Sequence, residues 1–329
     1  MTAVSLDANA IAALVEEAGL APSMHNAQPW AFRYRNDLGT MLLRGDSSRV
    51  MEKADPRNRA LHLGCGAALF NLRVAAARIG REPQTTLLPA PDDPWLLAEV
   101  RLDQPVRRDD DLAVLHPAIR RRHTSRFPFT DERVPDAVLD GLRAAARLEG
   151  ARLHIPEAWH LQELLSLVHD AESREALDAE VREELAHWTF TGSEDAMAPK
   201  QGIPARAFGP RQYDVTAPVR DFALGRAVPG RDTAAFEKHP CLALLGTAGD
   251  EPEDWLLAGQ AMERVLLQAT LDGLACSLTS QALEWPELRW AVRDPISTMG
   301  HVQMVIRLGY GPAGPPTPRR PVSDVLEIA

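Results

Sequence analysis

Two long apolar segments, one in each half of the sequence, constrain the fold more than any other feature. The first, residues 59–79, is apolar on nearly every side and contains Gly64 and Gly66. A helix with this pattern is buried, and its small residues allow a second helix to approach closely. The second, residues 253–271, has a wide apolar face. The sequence therefore predicts two helices in the core.

The order of elements repeats on either side of residue 110. Residue identity between the two halves is poor, so the repeat is one of pattern. Duplicated halves would pack their long helices together, like a symmetric dimer fused into one chain. We therefore expect an α+β fold with two pseudo-repeated halves, 1–110 and 111–329, each with a central sheet flanked by helices. The repeated elements are helix 8–19, strand 31–35, helix 59–79 and strand 96–102, then helix 136–147, strand 151–155, helix 253–271 and strand 302–308.

Capping residues predict where two of the helices begin. The first helix, placed over residues 5–19, can start from Ser5 or Asp7, because these side chains accept hydrogen bonds from the first free backbone amides. The helix after the boundary near 110 is expected to be entered from Thr130 or Asp131 on the same grounds.

Residues 191–240 differ from the segments around them. Glycine and proline occur throughout, and no helical or strand period is visible. A long irregular segment inside a compact domain is usually functional. We expect it to form a lid or a mobile insertion.

Charge and composition exclude several classes of partner. The 329 residues carry 36 basic and 46 acidic side chains, a formal net charge of −10. This balance argues against nucleic acid or an anionic membrane as the main partner. No apolar run approaches the ~20 residues of a membrane span, and the N terminus lacks the pattern of a signal peptide. We expect a cytoplasmic protein.

The cysteines and histidines indicate neither a disulfide framework nor a metal site. Cys65, Cys241 and Cys276 are odd in number and far apart. No His-x-x-x-His or Cys-x-x-Cys pair occurs. The sequence therefore predicts reduced, mostly buried thiols and no bound metal.

A basic cluster stands out in this acidic chain. Residues 120–127 read Arg-Arg-Arg-His-Thr-Ser-Arg-Phe and concentrate positive charge and hydroxyl donors at one point. That combination is typical of an anion site. The alternative is a solvated turn at a helix end, since charge runs are usually surface features.

A second polar element lies between the first helix and the strand at 31–35. Residues 22–30 read Pro-Ser-Met-His-Asn-Ala-Gln-Pro-Trp, a loop with two prolines. Ligand contacts tend to lie on such loops. The alternative is a purely structural turn with Trp30 in the core.

Together the two elements resemble those of FMN-dependent nitroreductases. Residues 122–126 are similar to their Arg-(Arg/His)-Ser-x-(Arg/Lys) element, and residues 22–30 match six of nine positions of their Pro-Ser-x-x-Asn-x-Gln-Pro-Trp loop. In ordinary members the basic element comes first and the FMN lies between two subunits. Here the order is reversed, which resembles the actinobacterial Acg subfamily, in which a single chain mimics the dimer. The resemblance implies a nitroreductase-like fold.

The resemblance also implies which residues hold the phosphate end of FMN. By it, Arg122, His123 and Thr124 hold the phosphate and the ribityl chain. Arg319 and Arg320 correspond to a C-terminal basic pair that completes the phosphate site. The roles agree with elementary chemistry, because a phosphate dianion is well matched by guanidinium and hydroxyl donors. The alternative for the C-terminal pair is a solvated tail.

For the ring end, the resemblance implies contacts from both halves of the chain. Arg126 approaches the pyrimidine edge, where a cation would stabilise the anionic reduced flavin. Asn26 and Gln28 can both donate and accept hydrogen bonds there. Residues 273–281 resemble the loop that passes flavin N5, although its usual Pro and Glu-Gly are absent. The remaining implied residues are Ser23 on the first loop and Leu278, Ser280 and Gln281 near N5.

The implied function is that of an FMN-binding oxidoreductase of nitroreductase type. Hydride would pass from transiently bound NAD(P)H through the flavin to a nitroaromatic, a quinone or a similar electron-poor small molecule. If residues 191–240 close over the flavin, NAD(P)H could not stack on it and the protein would store FMN instead. A dedicated flavin dehydrogenase or oxidase is a third reading. Because both motifs lie in one chain, a monomer suffices, with a homodimer as the alternative.

Overall fold

The computed structural model describes residues 6–105, 111–191, 200–213, 216–295 and 297–329. The helices are α1 (Ala8–Ala18), α2 (Arg59–Arg78), α3 (His116–Ile119), α4 (Asp136–Leu148), α5 (Ala158–Leu177), α6 (Ala179–His187), α7 (Pro252–Leu271), α8 (Gln281–Glu284) and α9 (Pro286–Ala291). The strands are β1 (Trp30–Arg35), β2 (Thr40–Gly45), β3 (Gln84–Leu87), β4 (Leu96–Arg101), β5 (Arg152–His154), β6 (Thr189–Phe190), β7 (Ile203–Pro204), β8 (Arg211–Gln212), β9 (Thr233–Ala234), β10 (Cys241–Thr247), β11 (Ala275–Thr279), β12 (His301–Gly309) and β13 (Leu326–Ile328).

Two larger sheets form the outer layers of an α+β fold, as expected. The first has the strand order β13-β1-β2-β4-β3 and the second has the order β11-β12-β10-β5. All pairs in them are antiparallel except β1 with β13, where Phe32 is opposite Leu326. The chain therefore returns at its C-terminal end to the sheet that its N-terminal part builds.

The two predicted core helices pack against each other between the sheets. Helix α2 contacts the five-stranded sheet, α7 contacts the four-stranded one, and α1 and α4 lie beside them. Gly66 and Gly259 meet at the crossing, and each is the eighth residue of a 20-residue helix. A Cβ atom on Gly66 would lie 2.4 Å from the Leu256 carbonyl oxygen, and one on Gly259 would lie 2.2 Å from that of Leu63. Only glycine allows this approach.

Helix α2 is more apolar than the sequence reading allowed. In the described part of the chain it is the one helix long and apolar enough to cross a membrane, with a mean hydropathy of 1.3. The expectation that no run approaches that length was therefore wrong. Most of that window, 89%, is buried inside the fold. The apolar side chains of α2 therefore form part of the protein core.

The starts of two helices test the capping predictions. Asp7 does cap α1, with its Oδ1 accepting from the Ala10 amide at 2.8 Å, whereas Ser5 lies outside the described residues. Helix α4 begins at Asp136, so the predicted entry at Thr130 or Asp131 was wrong. Pro135 is extended there and holds the N-cap position. A proline at this point ends the preceding extended segment and favours the helix after it.

The segment at 273–281 also departs from expectation. It was expected to be a loop, but residues 275–279 form β11, an edge strand paired with β12. Burial explains why this segment forms a strand, because Cys276 is 5% exposed and packs in the hydrophobic core. Ser280 then leads directly into α8.

Candidate functional site

The basic cluster becomes an extended arm beside β11. Helix α3 ends at Ile119, and the Arg122 amide still donates to the Ala118 carbonyl. The chain then runs parallel to β11, with Thr124 opposite Cys276 and the Ser125 amide donating to the Cys276 carbonyl at 2.8 Å. The strand therefore fixes the direction of the side chains on this arm.

The loop at 22–30 has an unusual backbone. His25, Asn26 and Gln28 have φ angles of 48°, 55° and 53°, in the left-handed region that non-glycine residues rarely occupy. The Ser23 hydroxyl stabilises the turn by accepting from the Gln28 amide at 2.9 Å. Strained backbone of this kind is concentrated at binding sites.

Both elements line one cavity at the crossing of the core helices. Five arginines and two histidines are among its lining residues, and no aspartate or glutamate of the described chain is. In a protein with a net charge of −10, such a lining marks an anion site. The basic side chains that line the cavity are His25, Arg59, Arg122, His123, Arg126, Arg220 and Arg319.

Most of the residues predicted from the sequence meet in this cavity. Those that line it are Ser23, Asn26, Arg122, His123, Thr124, Arg126, Leu278, Ser280, Gln281 and Arg319. Gln28 and Arg320 do not line it. The Gln28 Oε1 accepts from the Arg320 amide at 2.7 Å, and the Arg320 guanidinium lies 3.1 Å from Asp46. These two side chains join the C-terminal tail to the first loop behind the cavity wall.

One end of the cavity holds Arg122 and Arg319. Both guanidinium groups donate to the Leu20 carbonyl, at 2.8 and 3.1 Å. Burial and the charge of Arg122 lower the pKa of Arg319 to about 9. Glu263, which is fully buried, lies 3.4 Å from the Arg122 Nε. Burial raises the pKa of this carboxyl group to about 7, against the opposing attraction of Arg122. We call this group the paired-arginine end.

The opposite end contains His25, Arg126, Arg220 and Phe222. The Arg126 guanidinium lies 4.7 Å from the centre of the Phe222 ring and donates to the Ala207 carbonyl at 3.0 Å. Arg220 donates to the His25 Nε2 at 2.6 Å and to Glu284 at 2.7 Å. Burial, with Arg220 and Arg126 beside it, holds the pKa of His25 well below its usual range. We call this group the histidine end.

The sequence did not point to three of these residues as site residues. His25 lies at a variable position of the loop motif, and Arg220 and Phe222 lie in the irregular segment, where no period or motif marks them. Their contact with the first loop joins residues 195 positions apart, for example Arg220 and His25. Only the fold brings them together.

Part of the irregular segment lies against the cavity. Its described residues 200–213 and 216–240, here called the cover, contact both motif elements. The Asn26 side chain donates to the Gly202 carbonyl at 2.9 Å, and Ile203 and Phe222 line the cavity. A Cβ atom on Gly209, which has a φ of 72°, would lie 2.0 Å from the Arg126 carbonyl oxygen. The cover is therefore closely packed on the basic arm.

Comparison with known proteins identifies the family. A family model described as "Nitroreductase family" matches residues 119–310, more than half of the chain. The chain belongs to the nitroreductase family. This oxidoreductase family also contains the relatives that match along nearly the whole length. The "Putative NAD(P)H nitroreductase Rv3131" of Mycobacterium tuberculosis is 33% identical over 326 residues, which cover 98% of this chain and 92% of that protein.

The chain is also similar to a second sequence relative and to a solved structure. The "Putative NAD(P)H nitroreductase acg" of M. tuberculosis is 29% identical, over 97% of this chain and 95% of that protein. Among solved structures, the FMN-dependent nitroreductase NfnB from Mycobacterium smegmatis in complex with NADPH aligns with a TM-score of 0.38 and 16% identity. That alignment covers 61% of this chain and 89% of the NfnB chain.

Proposed function

We propose that the protein is an FMN-dependent oxidoreductase that takes hydride from NAD(P)H and reduces an electron-poor small molecule such as a nitroaromatic or a quinone. The observation that carries the proposal is the cavity lined by five arginines and, within the described chain, by no carboxylate. Family membership and the names of the relatives support the same reaction class.

The side chains of the cavity fit FMN on chemical grounds. Besides the Arg122 Nε, which faces Glu263, three buried nitrogen atoms of lining residues have no hydrogen-bond partner among the described residues: His25 Nδ1, Arg220 Nε and Arg319 Nε. Buried donors without partners are costly, so a ligand rich in acceptors is expected to satisfy them. A phosphate dianion, ribityl oxygens and ring carbonyls together provide such acceptors.

The paired-arginine end is the better site for the phosphate. Arg122 and Arg319 converge there, and His123 and Thr124 line the cavity beside them. Guanidinium groups bind phosphate with charge-assisted hydrogen bonds. Glu263 lies behind Arg122 and orients it through the 3.4 Å ion pair. This end would bind and orient the cofactor without taking part in chemistry.

The rest of the site would orient the ring and limit access to water. When bound, FMN supplies the two-electron chemistry by accepting a hydride and passing it on. Arg126 provides positive charge next to an apolar wall made by Phe222 and Ile203. Leu63 of α2 and Met262 of α7 add apolar surface from the core helices. The chain thus contributes position, charge and exclusion of solvent.

The direct test is to purify the protein and follow its flavin. We expect a yellow protein whose absorbance is bleached rapidly when it is mixed with NADPH under anaerobic conditions, and is restored by an added quinone. A protein that purifies colourless and does not bind added FMN at micromolar concentration would contradict the proposal. A dithionite control shows that the bound flavin can be reduced at all.

The cover favours a second candidate, the storage of FMN. Gln28 and Asn26 donate to the carbonyls of Lys200 and Gly202, both at 2.9 Å, so the cover is fastened to the first loop. A cover that stays in place would keep the nicotinamide from the flavin. In the anaerobic experiment, storage predicts bound FMN that dithionite bleaches and NADPH does not.

We also propose that residues 1–110 and 111–329 are the two halves of a fused dimer and that the protein acts as a monomer in the cytoplasm. The matched positions of Gly66 and Gly259 support the relation between halves, because a two-fold interface brings equivalent residues together. Cys65, Cys241 and Cys276 are free thiols, in line with a reducing compartment. A measurement of mass and mixing of variants, described below, tests the monomer.

A further inference from the structure

His25 has a single hydrogen-bonding arrangement open to it. Its ring is 6% exposed and lies edge-on to Phe222, with the ring centroids 5.7 Å apart. Its Nε2 is 2.6 Å from the Nη1 of Arg220. An arginine can only donate, so the Nε2 must accept. In the neutral ring, the proton therefore resides on Nδ1.

The Nδ1 hydrogen is a donor without a protein acceptor. Within the described residues the Nδ1 atom is buried and has no hydrogen-bond partner, and His25 lines the cavity. Holding the His25 ring in this position costs free energy. The residue sits at a φ of 48°, and the group behind it is a buried arginine with two carboxylates. Backbone strain held by such surroundings is typical of a functional position.

Arg220 acts through His25 because its own charge is satisfied elsewhere. Its Nη2 lies 2.7 Å from Glu284 and 3.3 Å from Glu175, both of which are buried. Glu284 is held in turn by the Ser280 hydroxyl at 2.8 Å. Arg220 is therefore a positioning residue that fixes the tautomer of His25.

Arg126 supplies the second donor at the histidine end. It makes no ion pair with a carboxylate in the described chain; its contacts there are the Ala207 carbonyl at 3.0 Å and the face of Phe222. Burial and the charge of Arg220 lower its pKa to about 10, which still leaves it charged at neutral pH. A half-buried cation without an ion-pair partner among the described residues attracts negative charge in a ligand.

We propose that the Nδ1–H of His25 and the guanidinium of Arg126 together form an oxygen site, which binds a ligand oxygen that carries or develops negative charge during reduction. The inference rests on the proposed function. Such an oxygen has two sources, a ring carbonyl of the flavin or the nitro or quinone oxygen of the electron acceptor. A preorganised pair of donors stabilises charge at the moment it develops.

The first test begins before any flavin or acceptor is added. Nitrogen-15 NMR of the labelled protein, with His25→Asn for assignment, reports which ring nitrogen carries the proton. We expect a protonated Nδ1 and an unprotonated Nε2 at neutral pH, and a shift of the Nδ1 proton signal when FMN or acceptor is added. A proton on Nε2, a charged ring or a signal that no ligand moves would overturn the proposal.

The second test compares two variants of His25. Asparagine tolerates a positive φ and places an amide donor where Nδ1 lies, whereas leucine removes the donor. Both variants are first checked for an unchanged far-ultraviolet circular dichroism spectrum. If the oxygen belongs to the flavin, His25→Leu should lower the midpoint potential of bound FMN and weaken its binding roughly tenfold, as expected for loss of a hydrogen bond to a charged group. His25→Asn should restore most of both.

If the oxygen belongs to the electron acceptor, the same two variants should differ in reoxidation and not in FMN binding. FMN affinity, midpoint potential and the rate of reduction by NADPH should then be the same in His25→Leu as in His25→Asn. Reoxidation by a nitroaromatic should slow roughly tenfold in His25→Leu and recover in His25→Asn. Equal behaviour of the two variants in every readout would overturn the oxygen site. Failure of wild-type protein to bind FMN would instead contradict the proposed function, which the wild-type titration shows separately.

Discussion

Arg122 is the residue whose removal should affect cofactor binding most directly. It is 4% exposed, lies at the paired-arginine end and donates to the Leu20 carbonyl at 2.8 Å, with Glu263 3.4 Å from its Nε. We expect Arg122→Ala to weaken FMN binding by roughly 1.5–3 kcal/mol, the scale of a charged hydrogen bond. Titration with FMN, followed by flavin fluorescence, measures the change. Arg121→Ala is the matched control, because Arg121 is an exposed neighbour. Equal affinities in the two variants would move the phosphate site elsewhere.

Glu263 should make FMN binding depend on pH. It faces Arg122, Arg319 and Asn71, and its pKa is raised to about 7. A bound phosphate would repel the ionised Glu263 carboxylate and raise its pKa further, so FMN binding takes up a proton. As the pH rises through 7, Glu263 ionises in the free protein and FMN affinity falls. The FMN phosphate itself ionises near pH 6, which acts in the opposite direction.

The variant Glu263→Gln isolates the effect, since it keeps the shape and removes the titrating group. FMN dissociation constants are measured for both proteins at several pH values from 6 to 9. We expect the ratio of wild-type to variant dissociation constants to rise with pH. Parallel profiles would show that Glu263 is not linked to phosphate binding.

For single residues, the sequence predicts contacts that depend on fixed motif positions and misses those that depend on the fold. Ser23, Asn26 and Arg122 could be named from their motifs, and all three line the cavity. Gln28 could be named equally well, but its side chain donates to the Lys200 carbonyl and accepts from the Arg320 amide, and it does not line the cavity. His25 and Arg220 could not be paired, because 195 positions separate them and Arg220 belongs to no motif.

The packing of α2 on α7 is the element on which the site depends. Arg59, Leu63 and Gly64 of α2 and Met262 of α7 line the cavity, so a shift of either helix would alter it. The apolar pattern of both helices and the small residues of α2 predicted this pair from the sequence. Strands β2 and β13 were not predicted. Strand β13 follows a proline-rich tail, and its partner β1 lies some 290 positions earlier, beyond the reach of local patterns.

Substitution of Gly66 or Gly259 by alanine tests the close approach of the helices. Each new Cβ would meet a backbone carbonyl of the other helix at 2.4 or 2.2 Å, so the helices must separate. We expect a loss of about 1–3 kcal/mol in the free energy of unfolding, as for an overpacked core. Gly141→Ala in α4 is the control, because nothing lies within 4 Å of its Cβ. It should gain about 0.5–1 kcal/mol from helix propensity. Urea unfolding followed by circular dichroism compares the three, and a neutral Gly66→Ala would contradict the packing.

At the scale of the whole molecule, the site is assembled from distant parts of one chain. The first loop supplies Asn26, the basic arm supplies Arg122, and the tail supplies Arg319, whose Nη1 donates to the Asn26 Oδ1 at 2.9 Å. The order of these parts along the chain was visible in the sequence. Their convergence around one cavity, which the cover helps to line, was not, because the cover has no regular pattern from which its position could be predicted.

This arrangement predicts that a single chain is sufficient for flavin binding. We expect a mass near 36.1 kDa by light scattering and one FMN per chain. Arg122→Ala and Asn26→Ala, each weakened in FMN binding, should remain so when they are mixed, unfolded together and refolded. If the site were formed between two chains, about half of the refolded dimers would pair the two variants, each of these mixed dimers would contain one intact site, and binding would return. Restored binding would therefore show that the two halves act in trans, and the fused-dimer proposal would have to give way to a dimer of two whole chains.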